Sequence, residues 1–280
     1  MTDDNHDPEM GPMHLVTAGS MLYTLVDPEK GYEVAYNRWY ERDHFYGGCM
    51  TGPWCFAGSR WVATRAMKDL RFPVEDNSVN KPVDRGSYLA VYWVENGHHD
   101  DHFAWGADQV VKLYMAGRGF QERRHAHTVL YKHRSNRYRD ADPVPVDVAL
   151  DHHYAALVSV VVEPVVEPPD GTAGDDLSAW LDGEGLPGLM ADGPVASCAQ
   201  WAAVPRDEMT GNAPMDLGSP PIGPDATMQL FFVETDPRDC WERFVDYAAR
   251  LEASGLGRVT SASPFLRTVV GTDRYTDQLW

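Results

Sequence analysis

Two stretches hold the side chains best suited to moving protons. The first is Asn37-Arg38-Trp39-Tyr40-Glu41-Arg42-Asp43-His44-Phe45-Tyr46. An imidazole titrates near neutral pH and can accept or return a proton. Glu41 and Asp43 favour its charged form if they lie close. The second stretch runs from His125 to His133. Read as a strand, it puts His125, His127, Val129, Tyr131 and His133 on one face, with Ala126, Thr128, Leu130 and Lys132 on the other. Ala126 and Leu130 suit a helix-covered side, which leaves His127 and Tyr131 on the opposite one.

A proton-transfer site also needs a donor for developing negative charge and walls for the substrate. Tyr23, Tyr88 and Tyr92 supply phenols, with Tyr88 and Tyr92 on one strand face. Arg60 sits inside an apolar strand, where it can hold a substrate carboxylate or pair with an acid on a neighbouring helix. The expected site therefore has His44 and His127 moving protons and Tyr92 donating to an oxyanion. Tyr23, Trp39, Arg60, Tyr88 and Tyr131 line the substrate. For each of these the plain alternative is ordinary packing. His98 and His102 stand four apart with Asp100 and Asp101 nearby, yet they fall where a loop enters a helix and lack a third ligand, so no metal site is expected. Nucleotide loops, serine elbows and Cys-His signatures are missing from the sequence.

These residues must be positioned by something, and the chain repeats itself. Ser178-Ala179-Trp180-Leu181-Asp182-Gly183-Glu184-Gly185-Leu186-Pro187 has the same Trp followed by acids at two and four residues, with Gly185 in place of His44. Gly52-Pro53 and Gly193-Pro194 follow the two copies. Hydrophobic and turn patterning predicts strands at 20–26, 55–64, 87–95 and 125–133, and helices at 33–46, ended by Gly47-Gly48, and at 100–116. The second half predicts strands at 155–162, 195–204, 228–234 and 263–270, with helices at 175–190 and 237–254. Each half reads β-α-β-β-α-β, the ferredoxin-like order. The expected organisation is a disordered tail at 1–12, one unit at 13–139, a linker at 140–150 and a second, degenerate unit at 151–280. A ferredoxin-like sheet leaves one face bare, so the two units are expected to pack sheet to sheet as an α+β barrel within one chain.

This pattern resembles the dimeric α+β barrel superfamily, and Trp39-x-Glu41-x-x-His44 is similar to the motif of its EthD-like branch. The branch commonly follows the histidine with Leu-Pro. Here Phe45-Tyr46 stands there, while the second copy keeps Leu186-Pro187. The resemblance implies a histidine at the mouth of a pocket. It also implies a range of chemistries: isomerases, polyketide cyclases, cofactor-free monooxygenases and haem enzymes.

Composition narrows the partners. The 280 residues carry a formal charge of −18, and 43% are hydrophobic. So acidic a chain makes a poor match for a polyanion, and no nucleic acid is expected. No run of about 18 apolar residues suggests a membrane span, and the first residues show no secretory signal, so the cytosol is the expected address. The four cysteines show no metal spacing. The leading expectation is a cofactor-independent acid/base enzyme that isomerises, dehydrates or cyclises an apolar, polyketide-like or ring-bearing substrate. The alternatives are a haem-dependent or cofactor-free monooxygenase and a non-catalytic binder of hydrophobic ligands. Closure within one chain removes the need for a homodimer without forbidding one.

Overall fold

The computed structural model describes residues 15–165, 173–206, 213 and 215–280, so the expected tail at 1–12 lies outside the described residues. Eight strands form the body: β1 (Ala18–Pro28), β2 (Cys55–Val62), β3 (Tyr88–Glu95), β4 (Arg123–Tyr138), β5 (Ala156–Pro164), β6 (Val195–Ala203), β7 (Thr227–Val233) and β8 (Gly257–Arg267). They make a closed, antiparallel barrel in the order β1-β3-β2-β8-β5-β7-β6-β4. Within the first half the neighbours run β4-β1-β3-β2, and within the second β8-β5-β7-β6. Two seams join the halves. β4 is long enough to pair with β1 along its first part and with β6 from Tyr131 to Tyr138, whereas β2 meets β8 only at Trp61–Val62.

Strand alternation sorts the side chains. Met21, Tyr23, Leu25, Trp93, Tyr131, Trp201 and Phe232 point inward and are fully buried. Trp93 and Trp201 stack across the barrel, centroids 4.7 Å apart. Each such side chain contributes about 1.5–3 kcal/mol by leaving water. The space between the two sheets is thus a filled core. Val146, Ala149 and Leu150 belong to it, and Trp93 Nε1 donates to the Val146 carbonyl at 3.1 Å. The stretch expected as a linker therefore caps the barrel core.

The outer faces carry the helices. α1 (Glu33–Trp39), α2 (Arg65–Lys68) and α3 (His99–Met115) belong to the first half; α4 (Ala173–Trp180), α5 (Leu186–Met190) and α6 (Trp241–Ser254) belong to the second. The helix expected at 33–46 does not stop at Gly47-Gly48. After Trp39 the chain widens into π-helical turns at Tyr40–His44 and Tyr46–Met50, and neither glycine has positive φ. The helix expected at 175–190 is interrupted in the same way by a π turn at Leu181–Gly185. The last strand begins six residues earlier than predicted, because Gly255, at φ 72°, ends α6 in the left-handed region and turns the chain at once into β8. Residues beyond β8, expected with the second unit, cross to the first. Thr272 O accepts from Asn37 Nδ2, Glu33 accepts from Trp280 Nε1, and Leu279 is fully buried. No helix among the described residues is long and apolar enough to cross a membrane.

Candidate functional site

A cavity of ≈ 540 Å³ lies on the helix side of the first half and not inside the barrel. Its floor is the outer face of β1 and β4, through Leu22, Thr24, Thr128 and Leu130. Phe103, Val110 and Val111 of α3 form one wall, Tyr40, His44, Gly48 and Cys49 another, and Val204–Arg206 with Met215 and Leu217 close a third side. A mostly apolar hollow with a few convergent polar groups is the usual form of a small-molecule site.

His44 reaches this cavity because of the π turn. Residues five apart face different ways on an α-helix, but a wider turn brings them together. Phe45 N–H donates to Tyr40 O, the i→i+5 bond that defines the turn. The His44 ring then stacks on Trp39, centroids 4.6 Å and planes 16° apart, with Tyr40 edge-on at 5.3 Å. Gly48 packs under it: a Cβ there would lie 2.8 Å from His44 Cε1. The glycine is needed for close approach, not for a positive φ. The neighbouring acids do not hold the ring charged, as the sequence suggested. Asp43 is engaged by Arg118, and burial together with Arg123 drives the imidazole down to about 3. At neutral pH His44 is a neutral base.

His125 is the second imidazole in the cavity, and simple alternation misplaced it. β4 bulges between His125 and His127 against Leu25–Val26, leaving Ala126 outside the ladder. A bulge adds one residue to one strand and re-aims the side chains around it. His127, Val129 and Tyr131 therefore point inward, while His125 joins Thr128 and Leu130 at the cavity. Gly218, far along the chain, bridges to His127. Its φ of 76° and a would-be Cβ 2.4 Å from Ala126 O show that only glycine fits there. His125 Nδ1 contacts Thr128 Oγ1 at 2.6 Å, and Thr128 Oγ1 contacts Thr24 Oγ1 at 2.9 Å. The other ring nitrogen, Nε2, is buried with no partner. Burial first, then Arg123 and His44, lower this ring to about 3 as well.

The remaining expected site residues lie elsewhere. His127 is fully buried in the barrel, between Ser219 Oγ at 2.9 Å and Tyr131 OH at 2.8 Å, and is also held near 3 by burial. Tyr23 is in the same core and bonds Ser159 Oγ at 3.1 Å. Tyr92 faces the helices but stands behind the cavity, its OH 3.0 Å from that of Tyr40. Tyr88 is buried beside Tyr36. Arg60 is buried and occupied: Nη1 donates to Asn37 Oδ1 at 2.9 Å and lies 3.3 Å from Glu41, while the guanidinium covers the Tyr40 and Tyr88 rings. Trp39 backs His44. Of the eight residues the sequence put forward, His44 alone lines the cavity; Trp39 and Tyr92 support its wall. The sequence reading missed Tyr40, Arg123, His125 and the two threonines. Among the described residues no three His, Cys, Asp or Glu side chains come together as a metal site.

The second half shows what the same turn does without an imidazole. Trp180 is followed by its own π turn, and its ring lies where a Cβ on Gly185 would be, 2.4 Å away.

The sequence matches no protein-family model and no curated protein. Solved structures similar in shape include a candidate chlorite dismutase (10% identity, 94% of this chain and 100% of that one, TM-score 0.50). Others are an anthrone oxidase-like protein (11% identity, 92% and 95% coverage, TM-score 0.46) and a dye-decolorizing peroxidase from Bacteroides thetaiotaomicron (8% identity, 94% and 96% coverage, TM-score 0.46). At these identities the likeness speaks to architecture only: the match at a TM-score of 0.50 agrees with the closed eight-stranded α+β barrel described above.

Proposed function

We propose that the chain is a small-molecule enzyme that transfers protons on an apolar, ring-bearing substrate held under β1 and β4, with His44 and His125 as the exchanging groups. The observation that carries this reading is the meeting of two neutral imidazoles, one with an unpartnered Nε2, on a single apolar cavity. Each ring resists protonation because it is buried beside the Arg123 cation. When a substrate C–H or O–H gives up its proton, the new anion sits beside the new imidazolium and stabilises it. The interaction strengthens only as charge develops, which is the condition for lowering a barrier. The second ring can return the proton at another atom, as isomerisation, dehydration or cyclisation requires. Tyr40, at the cavity wall, is the nearest phenol for the substrate oxygen and takes the donor role first given to Tyr92. We further read the two halves as tandem ferredoxin-like units, of which the first keeps the EthD-like histidine; the matching strand orders and the paired π turns support this.

The test is deuterium wash-in. The full chain in D₂O with 2-tetralone, a ring ketone with acidic α-hydrogens, should speed exchange at carbon by NMR, and His44→Ala and His125→Ala should each abolish the gain. Exchange at the background rate in the intact chain leaves a non-catalytic binder.

A second reading is favoured by the same neutral, unpartnered nitrogen. Haem would supply redox chemistry, and His44 or His125 fits as its nitrogen donor in an apolar hollow. Titrating haemin into the protein and finding a Soret shift lost in His44→Ala or His125→Ala would move the assignment there. Cofactor-free oxygenation needs no separate site, since it starts from the same deprotonated substrate.

A further inference from the structure

Three arginines are buried in the first half, and what balances their charge differs. Arg60 faces the Glu41 carboxylate and Asn37. Arg71 donates to three carbonyls, of Val83, Arg85 and Gly86. Arg123 is 8% exposed and lines the cavity, yet among the described residues the only hydrogen-bond partner of its guanidinium is neutral: Nη2 donates to Tyr114 OH at 3.1 Å. Its guanidinium lies over the Trp39 ring at 4.8 Å, and its Nε is buried with no partner. All three arginines leave one nitrogen unmatched. Only Arg123 has neither a carboxylate nor a set of carbonyl dipoles around it among the described residues. Buried charges are ordinarily paired, because desolvation without a counter-ion is costly.

The setting sharpens this. The chain is strongly acidic, but among the described residues Asp108 is the sole acid lining the cavity, and it is exposed. Arg206, the other cation there, is already held by the carbonyls of Leu217, Gly218 and Ser219. Arg123 and His125 lie two residues apart on β4 and line the same hollow, and the Arg123 charge is near enough to lower the His125 pKa. Leu22, Phe103, Val110 and Leu130 offer the rest of the ligand only apolar contact.

We infer that the cavity takes an apolar acid, a ring-bearing carboxylate whose anionic head is the missing counter-ion of Arg123. This rests on the reading of the cavity as a substrate site and adds the charge of the molecule that enters it.

The probes are 2-naphthoate and its neutral isostere 2-naphthamide, titrated calorimetrically into the full chain at pH 7. A charge-assisted hydrogen bond in a dry site should favour the carboxylate by about 10- to 100-fold. That margin should collapse in Arg123→Leu and persist in part in Arg123→Lys. The comparison of the two probes on the unaltered chain stands even if a variant does not fold. Equal affinities would overturn the inference while leaving the cavity a ligand site. A margin unchanged in Arg123→Leu would overturn it by moving the anchor elsewhere. Binding of neither probe would overturn both the inference and the substrate-site reading beneath it.

Discussion

The Trp39 indole and the His44 imidazole lie face to face across one π turn, 4.6 Å between centroids, and that contact fixes where the ring meets the cavity. An aromatic pair of this kind is worth about 0.5–1.5 kcal/mol beyond area burial. His44→Ala should therefore cost the fold only about 1–2 kcal/mol in urea denaturation while reducing proton exchange to background. Loss of folding with no separable loss of exchange would leave the ring a packing element.

Gly48→Ala tests the same placement from below. The added methyl meets the imidazole at 2.8 Å and must push it off Trp39. Exchange should fall at least about tenfold, with a stability cost of about 1–3 kcal/mol, typical of overpacking. A variant with full activity would show that the ring does not need its stacked position.

Tyr40 lines the cavity and Tyr92 holds it from behind. Tyr40→Phe should lower turnover more than Tyr92→Phe. A double-mutant cycle between them should show a coupling of about 0.5–1.5 kcal/mol in stability. The opposite order of activities would restore Tyr92 to the donor's place.

His127 is a barrel residue. His127→Ala removes the partner of Tyr131 and Ser219 and leaves a void, so it should cost about 2–4 kcal/mol. Exchange by the remaining folded protein, measured per folded molecule, should be unchanged. A loss as complete as that of His44→Ala would overturn the assignment.

The pH dependence comes from three rings that stay neutral. An unfolded histidine takes up its proton near 6.5, whereas His44, His125 and His127 hold out to about 3. The unfolded chain binds more protons between those values. Stability is thus complete above pH 6.5 and declines as pH falls, by at most about 1.4 kcal/mol per pH unit for each ring. Urea midpoints at pH 7, 5.5 and 4.5 should drop progressively, and less steeply in His127→Gln. The acid limb of the exchange rate should lie well below pH 6; a limb at 6.5 would mean that the cavity imidazoles are solvated.

The order of the strands and the α+β barrel class could be read from the sequence because hydrophobic alternation and turn residues are local signals. His44, which lines the cavity, drew attention because its neighbours recur around Trp180. The features that could not be read are non-local. The Ala126 bulge depends on a segment around Gly218, far along the chain, and a one-residue slip in β4 exchanges the barrel face for the cavity face. That slip hid His125; His127 was read onto its true, inward face, but the cavity lies on the other side of the sheet. The strand reading began at His125 and so stopped short of Arg123, whose lack of a counter-ion is a fact about everything packed around it. Arg60 could be read as a carboxylate clamp or as the partner of an acid on a neighbouring helix; the second holds, and which acid it is, Glu41, follows only from how that helix packs.

Trp180 and Gly185 keep the stacked pair of the first half from being copied into the second by a single substitution. An imidazole introduced at 185 would collide with the indole that now fills its place. Shrinking the indole first would leave a hole with nothing to stack in it. Giving both halves the same stacked ring therefore needs both positions changed together.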